Sequence, residues 1–318
     1  MLTAGTTLTI SGGTTVDPTG NLNSVGNMTV SGSERLTLSG IKTEVTGTGT
    51  LTLTGGTLAT TNGGLDIVTS VVKTTSGAIT ITGNAAATWG FNVRLTSKIQ
   101  SASGDITING NAPSTVWGGY LQACDILSAS GAIKVDTKTS KGLVNGHYTT
   151  TNIGAISPAT SISSVTLIGN DYWYYSQEVN VRTSGAVVLE STAANFTNGS
   201  GIKNHNFTGH SSLRIGKLGN NVPLTVSGSI TIAGNYELHG SALTQAAPVT
   251  TSNLGNITFT GGGAFSNTGA LDAAGGLYIT GATTLGSTAG WITNSALDVE
   301  ASGSISTVSL SPITVRSG

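Results

Sequence analysis

Residues 76–84 read Ser-Gly-Ala-Ile-Thr-Ile-Thr-Gly-Asn, and the phrase returns at residues 103–111 as Ser-Gly-Asp-Ile-Thr-Ile-Asn-Gly-Asn. A third copy, Ser-Gly-Ser-Ile-Thr-Ile-Ala-Gly-Asn, stands at residues 227–235. The glycine of the phrase recurs at equal intervals as Gly77, Gly104 and Gly131, and after twice that interval as Gly185. A fixed period of roughly 27 residues is the signature of a repeat architecture.

Each copy predicts a turn, a short strand and a second turn. Ile alternates with Thr, so one face of the strand is apolar and the other carries hydroxyl groups. The Gly and Asn residues at both ends tolerate the positive φ values of tight turns. Because one such strand cannot bury its apolar face alone, we expect successive copies to stack about 4.8 Å apart. The residues expected to form the stacked repeat are Gly77, Ile79, Ile81, Asn84, Gly104, Ile106, Ile108, Asn111, Gly228, Ile230, Ile232 and Asn235.

These features predict an all-β fold, a right-handed parallel β-helix of roughly 13 coils with about 20–27 residues each. We expect residues 1–318 to form a single β-helix segment of a longer chain, since no polar cap is evident at either end. Within it, residues 1–70 have a shorter period, residues 71–140 are regular 27-residue coils, residues 141–222 are irregular with longer loops, and residues 223–318 are regular again.

The composition excludes several classes of function. Charged residues make up 8% of the chain and the net charge is −1. Nucleic-acid binding needs a basic patch, so a nucleic-acid partner is not expected. No apolar run approaches the roughly 18 residues of a membrane-spanning helix. Cys124 is the single cysteine, which excludes an internal disulfide framework.

Residues 101–111, Ser-Ala-Ser-Gly-Asp-Ile-Thr-Ile-Asn-Gly-Asn, closely resemble the repeat region of filamentous haemagglutinin-like exoproteins. So do Ser-Ala-Ser-Gly at residues 128–131 and Gly-Ser-Ile-Thr-Ile at residues 228–232. The resemblance is one of repeat style, and it is clearest over residues 71–140 and 223–300. These are bacterial adhesins secreted by the two-partner route. The resemblance implies an extracellular, elongated right-handed β-helix at the bacterial cell surface that acts in adhesion, with no catalysis.

An aromatic cluster is the best candidate for a binding site, and its residues are Tyr172, Trp173, Tyr174 and Tyr175. At least two of these rings should face outward if the segment is a strand. Exposed aromatic rings commonly mark contact sites, although a hydrophobic plug or a contact between shafts would use the same residues. Trp89 and Trp117 stand at nearly the same point of successive periods, and we expect them to stack on each other between coils in a structural role.

No arrangement typical of a catalytic or metal site is evident. The 14 acidic residues are scattered. Asp125 and Asp136 lie near Lys134 and Lys138 in the densest group, and we interpret it as a solvated face with weak ion pairs. The histidines of the irregular stretch, His147, His205 and His210, lack a nearby Cys or acidic partner. We therefore expect no enzyme activity, no metal and no cofactor.

The sequence thus predicts a non-enzymatic structural and adhesive shaft that mediates cell–cell or cell–surface contact. Its expected partners are other copies of itself, end to end or side by side, or glycans or proteins of host or neighbouring cells, or both. One alternative is a self-assembling extracellular filament or sheath subunit. A second is a polysaccharide-binding or polysaccharide-cleaving β-helix protein, which would need several carboxylates in one groove.

Overall fold

The chain folds into short β-strands that form long parallel sheets. The computed structural model describes residues 1–57, 64–138, 140–145, 150–156, 162–174, 179–192, 196, 205–307 and 313–315. In this part of the chain no helix is long and apolar enough to cross a bilayer.

Three sheets build the first two thirds of the fold, and one of them continues to the last coils. Sheet 1 has nine strands: β1 (Leu2–Ala4), β4 (Leu22–Ser24), β7 (Lys42–Val45), β10 (Val71–Thr74), β13 (Lys98–Ser101), β16 (Asp125–Ser128), β19 (Thr151–Ala155), β22 (Val179–Arg182) and β24 (His205–Thr208). Sheet 2 has thirteen: β2 (Leu8–Gly12), β5 (Met28–Gly32), β8 (Leu51–Gly55), β11 (Ile79–Asn84), β14 (Ile106–Asn111), β17 (Ile133–Asp136), β20 (Ser164–Ile168), β23 (Ala186–Glu190), β25 (Ser212–Ile215), β28 (Tyr236–His239), β31 (Ile257–Thr260), β34 (Leu277–Ala282) and β37 (Leu297–Ala301). Sheet 3 has seven: β3 (Thr15–Val16), β6 (Arg35–Ser39), β9 (Leu65–Val68), β12 (Phe91–Arg94), β15 (Gly119–Gln122), β18 (Leu143–Asn145) and β21 (Tyr172–Tyr174).

Two further sheets accompany sheet 2 through the last coils. Sheet 4 contains β26 (Leu224–Val226), β29 (Leu243–Gln245), β32 (Ala264–Asn267), β35 (Thr284–Ser287) and β38 (Ile305–Thr307). Sheet 5 contains β27 (Ile230–Ile232), β30 (Val249–Thr251), β33 (Leu271–Ala273), β36 (Trp291–Thr293) and β39 (Ile313–Val315).

The order of the strands is that of a parallel β-solenoid. In the regular coils the chain adds one strand to each of three sheets and then returns to the first, so β10, β11 and β12 are followed by β13, β14 and β15 one level further on. Sheet 2 runs through the whole stack with one strand in each coil, so its thirteen strands correspond to thirteen coils in the described residues. The predicted β-solenoid fold is therefore confirmed.

The register of β11 on β14 follows the period of the sequence. Ile79 pairs with Ile106, and Asn84 pairs with Asn111. The Asn111 side-chain amide donates to Asn84 Oδ1 at 2.6 Å, which joins the two coils through their side chains. Ile79 and Ile106 are both completely buried, so the apolar face of each strand becomes one continuous core column.

The recurring Ser-Ala-Ser-Gly phrase has a structural cause at the corner between sheets 1 and 2. The buried Ser101 hydroxyl accepts a hydrogen bond from Gly104 N at 2.8 Å, and Ser128 accepts one from Gly131 N at 2.9 Å. The sequence suggested these glycines for positive φ values, but the φ of Gly104 lies outside the left-handed region. The glycine is needed because a Cβ there would lie 2.2 Å from the carbonyl oxygen of Gly77 in the preceding coil.

The third copy of the phrase is not in phase with the first two. Ile230 and Ile232 lie in β27 of sheet 5 and pair with Val249 and Thr251. The strand that continues sheet 2 at this level is β28, which follows Asn235. Alternation of Ile and Thr predicts a strand with one buried face. It does not predict which sheet the strand joins, because every face of a three-sided coil is formed by such strands.

The double interval between Gly131 and Gly185 does not consist of two equal coils. Ile133 of β17 pairs with Val165, and Val165 pairs with Val187. The step from Ile133 to Val165 is therefore longer than the step from Val165 to Val187, and the longer coil carries extra residues at its corners. The division of the chain into four stretches stays a prediction.

Candidate functional site

One ring of the aromatic cluster, that of Tyr172, lies inside the solenoid and not on its surface. Tyr172 is only 1% exposed, and its hydroxyl donates to the carbonyl oxygen of Leu167 at 2.8 Å. Its ring packs 5.9 Å from the ring of Phe196. Burial raises the pKa of the Tyr172 phenol well above its usual value. Tyr172 is therefore a core residue whose ring does not face outward, and the binding role expected of the cluster stays a prediction.

The rest of the cluster is described only in part. The backbones of Trp173 and Tyr174 pair with Val144 and Asn145 in β18, the neighbouring strand of sheet 3. The side chains of Trp173 and Tyr174 lie outside the described residues, as does the whole of Tyr175. Their part in binding stays a prediction.

The two tryptophans expected to stack on each other instead contact other residues of the neighbouring coils. The Trp89 ring packs on Tyr120 of the next coil, with the ring centroids 4.9 Å apart. The ammonium group of Lys141 lies 4.5 Å from the centre of the Trp117 ring, a cation–π contact. Both indole rings therefore join successive coils.

The two aspartates of the charged group lie in different sheets. Asp136 is in β17 of sheet 2, where it binds the ammonium groups of Lys134 at 3.1 Å and Lys138 at 3.0 Å. Burial alone would raise the pKa of Asp136, but hydrogen bonds from the backbone and side chain of Lys138 and from Lys134 outweigh it, and the pKa lies below its usual value. Asp125 is in β16 of sheet 1. The pair does not share one face.

Asp125 instead begins a ladder of polar side chains on the outer face of sheet 1. Asn152 donates to Asp125 Oδ1 at 2.8 Å, Asn180 donates to Asn152 Oδ1 at 3.1 Å, and Asn206 donates to Asn180 Oδ1 at 3.2 Å. The four residues are 27, 28 and 26 positions apart. That near-constant spacing is the signal by which the sequence could have revealed the ladder.

His210 is the one histidine of the irregular stretch whose side chain is described. It is completely buried, and neither ring nitrogen has a hydrogen-bond partner among the described residues. Burial lowers its pKa from 6.5 to about 4. His147 and the side chain of His205 lie outside the described residues. No group of three or more His, Cys, Asp or Glu side chains suited to a metal occurs in the described part of the chain.

A groove of about 360 Å³ runs along the corners between sheets 2 and 4. One wall is the loop after β25, where Leu218 is 75% exposed at the rim. Asn220 holds this loop in place: it is buried, its Oδ1 accepts from Phe196 N at 3.2 Å, and its amide donates to the carbonyl oxygen of His239 at 2.9 Å. The groove therefore has a fixed wall.

The floor of the groove consists of corners that carry little side-chain volume. Gly240, Gly261 and Gly281 stand at the same corner of three successive coils, Gly262 follows Gly261, and all four line the groove. A Cβ added at Gly262 would meet nothing within 4 Å, so the space above this residue is open. The groove was not predicted from the sequence, although the corner motifs His-Gly, Thr-Gly-Gly-Gly and Thr-Gly recur about one coil apart.

Polar but uncharged groups line the groove. His239 is 6% exposed, and its Nε2 lies 3.4 Å from the carboxylate of Glu237. Its Nδ1 has no hydrogen-bond partner among the described residues. The hydroxyl groups of Thr260 and Thr280 lie 3.4 Å apart on neighbouring strands. No Asp, Glu, Lys or Arg is among the described residues that line the groove.

Comparison with known proteins adds no family to this picture. No protein-family model, curated protein or solved structure matches the chain. The resemblance to filamentous haemagglutinin-like exoproteins therefore stays a prediction from the repeat phrases. What the structure shows is an all-β repeat protein with the architecture of a parallel β-solenoid.

Proposed function

We propose that this chain is a non-enzymatic structural and adhesive shaft of a secreted or surface-attached bacterial exoprotein of the filamentous haemagglutinin-like type. The observation that supports the proposal is sheet 2, which runs unbroken through thirteen coils of the described chain. Its job is to hold contact surfaces at a distance and so to mediate contact between cells or between a cell and a surface.

Two physical features suit a shaft to that role. Backbone hydrogen bonds and a continuous apolar core join each coil to the next, so bending the stack would break many contacts at once. The low content of charged residues, 8%, limits electrostatic repulsion when the outer faces approach another surface. Polar ladders such as Asp125–Asn152–Asn180–Asn206 tie neighbouring coils together on the outside as well.

The experiment is a bead-adhesion assay with two kinds of target. Latex beads coated with the folded chain are mixed with Gram-negative bacteria and with cultured epithelial cells. Beads coated with the urea-unfolded chain and with albumin are the controls. We expect the folded chain alone to hold beads on at least one cell type. Equal retention on folded-chain and albumin beads would overturn the adhesive role.

Negative-stain microscopy over a concentration series separates this role from that of a filament subunit. We expect single rods at every concentration. Ordered polymers that lengthen with concentration, in a preparation that binds no cells, would favour the self-assembling filament or sheath subunit instead.

A further inference from the structure

We propose that the groove between sheets 2 and 4 binds an uncharged oligosaccharide, through Leu218, His239, Thr260 and Thr280. This inference rests on the adhesive role proposed above, because it names the chemical class of ligand that the shaft would hold. It assigns binding to the corners of the later coils rather than to the aromatic cluster.

His239 supplies the first argument, because it is a buried polar residue and one of its ring nitrogens, Nδ1, has no hydrogen-bond partner among the described residues. A carboxylate can only accept hydrogen bonds, so the contact with Glu237 places the proton of His239 on Nε2. Nδ1 is then an acceptor with no donor among the described residues. An unsatisfied buried acceptor costs free energy. Nδ1 itself is covered from solvent, but His239 lines the groove, so a shift of its ring would let a hydroxyl group of a ligand pair with Nδ1. Sugars are rich in such hydroxyl groups.

The lining of the groove gives the second argument. Thr260 and Thr280 repeat one hydroxyl group per coil along the groove, and hydroxyl groups both donate and accept hydrogen bonds. Leu218 offers an apolar rim on which the carbon–hydrogen face of a sugar ring could pack. Because no charged side chain is among the described residues of the lining, nothing there compensates the burial of an ionic ligand.

The size of the groove selects a chain over a single sugar. The lining residues come from four successive coils, so the groove spans three strand spacings, about 14 Å. Its volume of about 360 Å³ falls in the range of known ligand sites. The groove runs along the axis of the stack, which suits an extended oligomer.

Isothermal titration with defined sugars tests the assignment. The probes are cellohexaose, maltohexaose, mannohexaose and chitohexaose, with hexagalacturonate as an anionic comparison. The test variant is Gly262→Leu, which fills the floor at a residue with an ordinary φ and open space above it. The matched control is Gly13→Leu, at a corner between β2 and β3 that is equally open. His239→Phe, which removes the free acceptor, is the second variant.

We expect at least one neutral hexasaccharide to bind the natural chain and Gly13→Leu equally. Its affinity should fall at least about tenfold in Gly262→Leu and in His239→Phe, the loss expected for about 1.4 kcal/mol. Unchanged binding by Gly262→Leu with a natural melting temperature would overturn the assignment. So would a preference for hexagalacturonate, or no binding of any neutral probe at millimolar concentration.

The outcomes separate this inference from the proposed function. A chain that holds beads on cells but binds no sugar overturns the groove assignment and leaves the adhesive shaft standing. A chain that binds a neutral hexasaccharide through the groove but holds no beads supports the groove and overturns the adhesive role.

Discussion

Replacing Gly104 by Ala tests how tightly the coils are stacked. The added Cβ would lie 2.2 Å from the carbonyl oxygen of Gly77 and 2.4 Å from its carbonyl carbon. Side-chain Cβ atoms essentially never approach another atom closer than 3.0 Å. The obstacle is the backbone of the same corner in the preceding coil, so the two corners must separate by about 0.8 Å to move from 2.2 Å to 3.0 Å.

That separation breaks hydrogen bonds that join the same two coils. Ile79 N donates to Asp105 O at 2.8 Å, and Ala102 N donates to Thr74 O at 3.3 Å. A shift of about 0.8 Å takes the shorter bond to about 3.6 Å, a distance at which no hydrogen bond remains. Each unsatisfied buried group costs about 1–3 kcal/mol. We therefore expect Gly104→Ala to lower the free energy of unfolding by roughly 2–5 kcal/mol.

The assay is urea unfolding followed by far-ultraviolet circular dichroism. Gly13→Ala is the matched control, because a Cβ at Gly13 meets nothing within 4 Å and this residue also lacks a positive φ. We expect the control to change stability by no more than about 0.5 kcal/mol. Equal midpoints for the two variants would refute the reasoning, since the same residue change would then be insensitive to the contact between coils.

Three further predictions concern other parts of the stack. Gly40 and Thr69 occupy the same corner of successive coils, with φ values of 65° and 49°. We expect Gly40→Thr to lower the free energy of unfolding by about 1–2 kcal/mol and Thr69→Asn to raise it, as measured by urea midpoints. The opposite order of midpoints would contradict this expectation. Burial lowers the pKa of His210 from 6.5 to about 4. As the pH falls, the unfolded chain therefore takes up the proton first. The free energy of unfolding then decreases by up to about 3 kcal/mol between pH 6.5 and 4. His210→Phe should remove that loss, and an unchanged difference between urea midpoints at pH 7 and pH 4.5 would count against it. Cys124 is buried at the position that Ser97 holds one coil earlier, and burial raises the pKa of its thiol to about 12. We expect Cys124→Ser to change the free energy of unfolding very little. Iodoacetamide should modify the natural thiol only after unfolding, as measured by intact mass.

The stacking of the coils could be predicted from the sequence because it follows from a fixed period. Ile79 and Ile106 are one period apart and pair directly. The face on which a strand lies could not be predicted in the same way. Ile230 has the same alternating neighbours as Ile79, yet it lies in sheet 5, since all faces of the solenoid bury similar strands. The corners decide the face, and their lengths vary from coil to coil.

The candidate site was harder to predict than the fold. Tyr172 sits in an aromatic run that suggested an exposed surface, but strand pairing places it beside the buried Leu143 and turns its ring inward. The groove exists because Gly240 and Gly262 have no side chains to fill it and because Asn220 fixes the loop that forms one wall. Such a site arises from corners stacked over several coils, and no single motif encodes it.

Pulsed electron–electron double resonance on spin-label pairs tests the stacking of the coils most directly. The pairs are made in a Cys124→Ser background, with one label attached at Thr29 in the second coil. The other label is attached at Thr80 in the fourth coil, at Thr166 in the seventh coil or at Thr258 in the eleventh coil. All four side chains lie on the outer face of sheet 2. Two, five and nine strand spacings predict distances of about 10, 24 and 43 Å, rising linearly with coil number. Distances that fail to increase with coil number would contradict the solenoid.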